Sequence, residues 1–159
     1  NPCPCGRKDS RGAACTCTPS AIRRYQQRIS GPILDRIDIQ QQLVPLSRAV
    51  LRSTGTVESS AVVADRVAEA RQRQHRRLAG SGWTTNGEVS GPYLRTHLPL
   101  PEGLDLLDSA VTRGLLSPRG VDKVIRVAWS IGDLAGVDVP GREHVATALG
   151  MRHGVQVPG

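Results

Sequence analysis

Between Ser117 and Gly136 the chain repeats aliphatic side chains at three- and four-residue steps: Val121, Val124, Ile125, Ala128, Ile131 and Leu134. That period lays them along one side of an α-helix, a constraint that any fold of this chain must meet. Ser117-Pro118 supplies an N-cap and a first-turn proline, and Gly136 a stop. Such a stripe is buried only against other elements. The chain has no Phe and only two Trp and two Tyr, so Leu, Val, Ile and Ala must fill the interior. An interior of small aliphatic side chains favours packed helices over an aromatic-rich β-sandwich.

The rest of the chain supplies partners for that helix. Residues 1–18 are rich in Pro, Gly, Cys and charge, and read as an irregular loop. Thr18-Pro19 opens a helix to about Arg28, with Ile22, Tyr25 and Ile29 on one face, until Ser30-Gly31-Pro32 breaks it. A helical turn at Ile33-Leu34-Asp35-Arg36 leads into residues 37–44, whose alternating start predicts a strand that Pro45 ends. The period predicts a helix over 57–79, with Val63, Val67 and Ala70 facing one way. Its last turns carry Arg71, Arg73, His75, Arg76 and Arg77, where cations suit the helix dipole. Shorter helices are expected around Pro92–His97, from Pro101-Glu102 with Leu104, Leu107 and Val111 turned inward, and from Pro140 to about Leu149. The reading is mainly α. Residues 1–45 look like a piece of an α/β core, 46–55 a connector, 56–153 a helical unit and 154–159 a tail. A lone strand cannot make a stable sheet, so residues 1–45 are expected to be partly disordered or rearranged in isolation.

The formal charge is +7, from 21 Lys and Arg against 14 Asp and Glu. This balance points to a polyanionic partner, nucleic acid or nucleotide, against the alternative of an ordinary basic surface. The arginines of 71–77 read as a solvated helix end or, alternatively, as a contact to DNA phosphates. No apolar run approaches the roughly 20 residues of a membrane span. The start lacks both a signal-peptide design and an initiator Met, so the expectation is a cytoplasmic piece of a longer protein. His75, His97, His144 and His153 lack ligand spacing and are expected at the surface or at helix ends. Trp83 reads as a loop residue and Trp129 as core.

All the cysteines fall within residues 3–17, as Cys3-x-Cys5 and Cys15-x-Cys17. Four thiolates can hold Zn²⁺ in a closed tetrahedron, which leaves no position for substrate and makes such a metal structural. Arg7, Lys8 and Arg11 would offset the negative charge of the centre. Paired disulfides and free thiols are the alternatives.

These cysteines belong to a longer pattern. Asn1-Pro2-Cys3-Pro4-Cys5-Gly6, Cys15-x-Cys17-Thr18-Pro19, Arg24-Tyr25 and Ser30-Gly31-Pro32-x-Leu34-Asp35-Arg36-Ile37-Asp38 follow one another in order. After them come Ala70-Arg71-x-Arg73-Gln74, Asn86, Leu116-Ser117-x-Arg119, Ile125-Arg126-Val127-Ala128 and Asp133-Leu134. Together they resemble the magnesium-chelatase-like (ComM/YifB) family of AAA+ ATPases over nearly the whole chain. The resemblance implies the C-terminal remnant of a AAA+ α/β core with a loop of four cysteines, followed by a helical-bundle lid domain. It implies ATP with Mg²⁺ as the cofactor of the full-length protein, self-association into a hexameric ring, and work on DNA of the branch-migration kind. It assigns Asn1 to sensor 1, Arg36 to the arginine finger acting on a neighbouring subunit, and Arg119 to sensor 2, with Arg126 as the rival for that last role. Surface pairing of Arg36 with Asp35 or Asp38, and plain exposure of Arg119, are the bland alternatives. The sequence contains no Gly-x-x-x-x-Gly-Lys-Ser/Thr phosphate loop, so the chain by itself is not expected to hydrolyse ATP. Two rival readings remain: the motor subunit of a magnesium chelatase, and a stand-alone zinc-containing module that binds nucleic acid.

Overall fold

Thr18 and Pro19 begin the first helix as their types dictate. The Thr18 hydroxyl accepts from the Ala21 N–H at 3.3 Å, and the proline sits where no backbone donor is needed. The computed structural model describes residues 1–8, 14–41 and 58–154. Among them lie seven helices and no strand: α1 (Pro19–Gln26), α2 (Gly31–Arg36), α3 (Ser60–Leu78), α4 (Gly91–Thr96), α5 (Leu104–Thr112), α6 (Pro118–Ala135) and α7 (Arg142–His153). They fall in two compact units, one of Asn1–Ile37 and another that joins residues 38–41 to 58–154.

The smaller unit has almost no apolar interior. Neither α1 nor α2 buries a residue, and Cys3 is the one buried side chain among the unit's described residues. Gly6, at φ +75°, closes a turn in which its N–H donates to the Cys3 carbonyl at 3.0 Å. The Gln26 amide reaches back from α1 to the Pro2 carbonyl at 3.1 Å.

In the larger unit α6 is the hub. It packs against α3, α4 and α7, while α5 packs on α7. Val124, Ile125, Ala128 and Trp129 of α6 meet Leu78, Leu94, Leu107, Val145 and Ala148 in one core cluster. Each large aliphatic or aromatic side chain so buried contributes roughly 1.5–3 kcal/mol. Ser117 caps α6 by accepting the Gly120 N–H at 3.0 Å, and Gly136, at φ +77°, ends it.

Several expectations need correction. Ile37–Gln41 form no strand; instead the Gln40 N–H donates to the Met151 carbonyl at 2.8 Å, tying the segment to the end of α7. Alternation marks a segment as able to pair, but pairing needs a second strand. Residues 42–44 of that expected strand, the 46–55 connector and most of the tail lie outside the described residues. Val63 and Val67 are not buried; burial along α3 starts at Ala70 and continues through Gln74 and Leu78. Leu134 and Val111 are likewise exposed. His144 does lie at a helix end, as expected, but is buried there, its Nδ1 accepting the Gly141 N–H at 2.9 Å at the start of α7.

Candidate functional site

The cysteine loop brings its four sulfurs together. Cys3, Cys5, Cys15 and Cys17 are free thiols whose Sγ atoms all lie within 4.8 Å of one another. Cys3 and Cys5 are 3.3 Å apart, Cys3 and Cys15 3.7 Å, and Cys5 and Cys15 3.6 Å. A tetrahedral thiolate centre with bonds near 2.3 Å has sulfur–sulfur edges of about 3.8 Å, so these residues fit a metal ion. The Arg7 backbone N–H, and then the Cys3 thiol, bring the Cys5 thiol down to about 6. The Cys17 backbone N–H lowers Cys15, but desolvation and the hydrogen bonds with Cys5 and Cys3 outweigh it and raise that thiol to about 11. One sulfur inclined to ionise beside another that resists is what the crowding of like groups produces.

The residues that the resemblance assigns to nucleotide are spread out. The exposed Asn1 lies beside Gly6, its Cγ 3.8 Å from where a Cβ on that glycine would stand. Arg36 is the last residue of α2, exposed, with Nη1 donating to the Pro32 carbonyl at 3.3 Å. Asp38, one of its expected surface partners, pairs with Lys123. Arg119 is exposed in the first turn of α6, where the cap bond of Ser117 fixes the backbone. Arg126, two turns on, is half-buried, and its Nε donates to the Val89 carbonyl at 2.8 Å. That bond joins α6 to the loop before α4, so part of this guanidinium is committed to structure.

What the sequence did not disclose is a polar centre inside the larger unit. Arg77 forms a bidentate pair with Asp133 at 2.6 and 2.7 Å and also donates to the Asn86 side-chain oxygen at 2.9 Å. The Asn86 amide donates in turn to Asp133 at 2.9 Å and to Ser130 at 3.1 Å. Arg73 reaches the Asp133 backbone carbonyl at 2.9 Å. The Arg77 guanidinium carbon lies 4.1 Å from the centre of the Trp129 ring, a cation–π geometry. Asp133 follows Trp129 by one helical turn, on the buried stripe of α6. An acid in that register signals a buried cationic partner, since such a charge is kept only when paired. The solvated-helix-end reading of residues 71–77 therefore fails for Arg73 and Arg77, although His75 and Arg76 are exposed.

Two families match successive stretches of the chain. The family described as magnesium chelatase, subunit ChlI, matches residues 1–51, and the one described as magnesium chelatase, subunit ChlI C-terminal, matches 57–152. An uncharacterized protein of Mycobacterium tuberculosis is 46% identical over 153 residues, covering 96% of this chain and 30% of the relative. The uncharacterized protein YifB of Escherichia coli is 34% identical over 155 residues, and competence protein ComM of Haemophilus influenzae 32% over 154; each match covers 96% of this chain and 29% of the relative. The chain thus spans about 30% of the length of these relatives. With both family matches in register and these relatives aligned along nearly its whole length, the chain belongs to the magnesium-chelatase-like family that includes YifB and ComM.

Proposed function

We propose that this chain is the C-terminal part of a AAA+ ATPase in which it supplies charge-stabilising side chains to ATP hydrolysis coupled to DNA remodelling. Arg36 acts on the nucleotide of the neighbouring subunit in a ring, Arg119 on the nucleotide of its own subunit, and Asn1 orients water near the terminal phosphate. The observation that carries the reading is Arg119, exposed in the first turn of an 18-residue helix. A cation there opposes the helix dipole and gains nothing locally, whereas an arriving phosphate meets the guanidinium and the positive helix end together. An always-charged planar guanidinium suits the charge that develops on phosphate oxygens in the transition state. The cysteine set holds a structural Zn²⁺; with four protein ligands it has no open position for chemistry.

The test is ATP turnover by the complete parent protein. Arg36→Ala is expected to lower kcat on the order of 10³-fold, the scale of a lost arginine finger. Mixing that variant with subunits whose phosphate loop is disabled should restore turnover, because the arginine acts in trans. Unchanged kcat in both Arg36→Ala and Arg119→Ala would overturn the reading. The names of the matching families favour a second reading, the motor of a magnesium chelatase. Turnover stimulated by DNA supports the first; turnover that responds only to chelatase partner subunits supports the second.

A further inference from the structure

The surplus positive charge of the chain is confined to one part of it. Residues 1–37 carry seven Lys and Arg against two Asp, a net +5, and residues 42–57 add two Arg and no acid. The described residues of the larger unit, 38–41 and 58–154, carry twelve Lys and Arg and twelve Asp and Glu, and so balance. A compositional bias towards arginine loads both units alike, so it does not account for this segregation. The units also use their cations differently. In the larger, many sit in ion pairs, among them Arg66 with Glu58, Arg95 with Asp122 and Arg142 with Asp105. In the smaller, Arg7, Lys8, Arg23, Arg24 and Arg28 are exposed, and none forms an ion pair among the described residues.

Three of these cations crowd α1. Arg23 and Arg24 lie in its last turn, and the Arg28 N–H donates to the Tyr25 carbonyl at 3.3 Å, continuing the coil past the helix end. The helix dipole favours a cation there, but Arg24 and Arg28, four residues apart, share a face on which like charges repel. α1 contains no acid and buries no residue, so neither pairing nor packing offsets that repulsion. Four thiolates around a divalent ion keep two negative charges in surplus; Arg7 and Lys8, just after Cys5, match them and leave the arginines of α1 over. We propose that α1 and the turn after it form the surface on which this protein holds the phosphate backbone of a nucleic-acid strand. A strand offers regularly spaced negative charge, and guanidinium groups take phosphate oxygens in pairs. Contacts of this kind read no bases, so binding is indifferent to sequence. The inference rests on the DNA reading above and gives it a place on the molecule. That place is separate from Arg36 and Arg119, and also from residues 71–77, where Arg73 and Arg77 are already committed to Asp133.

The test is fluorescence anisotropy of a dye-labelled dT oligonucleotide titrated with the 159-residue chain over a range of salt concentrations. Arg23→Gln, Arg24→Gln and Arg28→Gln combined should lower affinity at least about tenfold and make the slope of log K against log salt shallower by about two, the yield of three single-strand phosphate contacts. Arg23→Lys, Arg24→Lys and Arg28→Lys combined keep the charge and should keep most of the binding, which separates lost charge from lost fold. Arg71→Gln, Arg76→Gln and Arg113→Gln combined remove as much charge from exposed positions of the larger unit and should change little. Equal losses in the two Gln sets would overturn the proposal. So would polyglutamate bound as tightly as dT, which points to an acidic protein partner instead. In the complete parent protein, the α1 Gln set should abolish stimulation of ATP turnover by DNA while basal turnover persists. Stimulation that survives those changes overturns this surface and leaves the DNA reading standing. Binding of dT at α1 without any stimulation by DNA supports the surface and removes the coupling of turnover to DNA.

Discussion

Asp133 shows how much one side chain can decide. It sits on the buried stripe of α6, 2% exposed, and takes hydrogen bonds from Arg77 and Asn86. Removing it leaves the Arg77 guanidinium buried among neutral groups. Asp133→Ala is therefore expected to cost about 3–5 kcal/mol in chemical denaturation, the scale of a broken buried pair. Glu88 works at the surface and through pH. Its carboxylate accepts from the Thr84 hydroxyl at 2.7 Å and from the Thr84 and Thr85 N–H groups at 3.0 and 2.9 Å. Those bonds, the hydroxyl's first, hold it below the ordinary glutamate range. A carboxyl depressed by folding stabilises the chain above its unfolded pKa, and that gain is lost as pH falls through the folded value. Urea midpoints of the wild type should therefore fall more steeply than those of Glu88→Gln as pH drops below about 4.3.

At the scale of elements, α3 and α6 teach different lessons. The stop, the cap and the core-facing stripe of α6 follow from residue types at fixed spacing, because these are local properties of a helix. Leu134 stays 46% exposed, in an open groove that it lines with Val67, Ala70 and Arg71 of α3. Burial is likewise partial along α3, where Ala70, Gln74 and Leu78 are buried but Val62, Val63 and Val67 are 52%, 37% and 44% exposed. Periodicity names the face of a helix; only tertiary structure says how far along that face a partner reaches. The N-terminus of α6 is the element on which the functional reading leans. Ser117→Ala deletes the acceptor of the Gly120 N–H and should cost about 1 kcal/mol. In the complete parent protein the same change should weaken nucleotide binding, read as a raised KM for ATP, because it loosens the turn that carries Arg119.

For the whole molecule, the two units differ in what holds them together. The larger has a continuous apolar core; the smaller has, among its described residues, one buried side chain, Cys3, and a cluster of sulfurs. A unit that small needs a staple, and metal binding supplies folding free energy in small domains on the order of 10 kcal/mol. Elemental analysis of the purified chain is expected to find about one Zn²⁺ per chain, the stoichiometry of a four-thiolate site. Cys3→Ser with Cys15→Ser, or a strong chelator, should abolish amide protection around α1 while the α6 and α7 amides keep theirs in hydrogen exchange. Loss of protection in both units alike would contradict that division of labour.

The sequence by itself determined the helices of the larger unit, the cap, stop and apolar stripe of α6, and the grouping of four cysteines. It could do so because spacing, capping and ligand type act over a few residues. The fate of Ile37–Gln41, the half-exposed α3, the buried His144 and the polar centre of Arg77, Asn86 and Asp133 were decided only in three dimensions. Arg77 and Asp133 stand 56 residues apart in the chain, and no local rule couples a cation to a carboxylate over that distance. Packing α3 against α6 brings them together, and desolvation then makes their pairing obligatory.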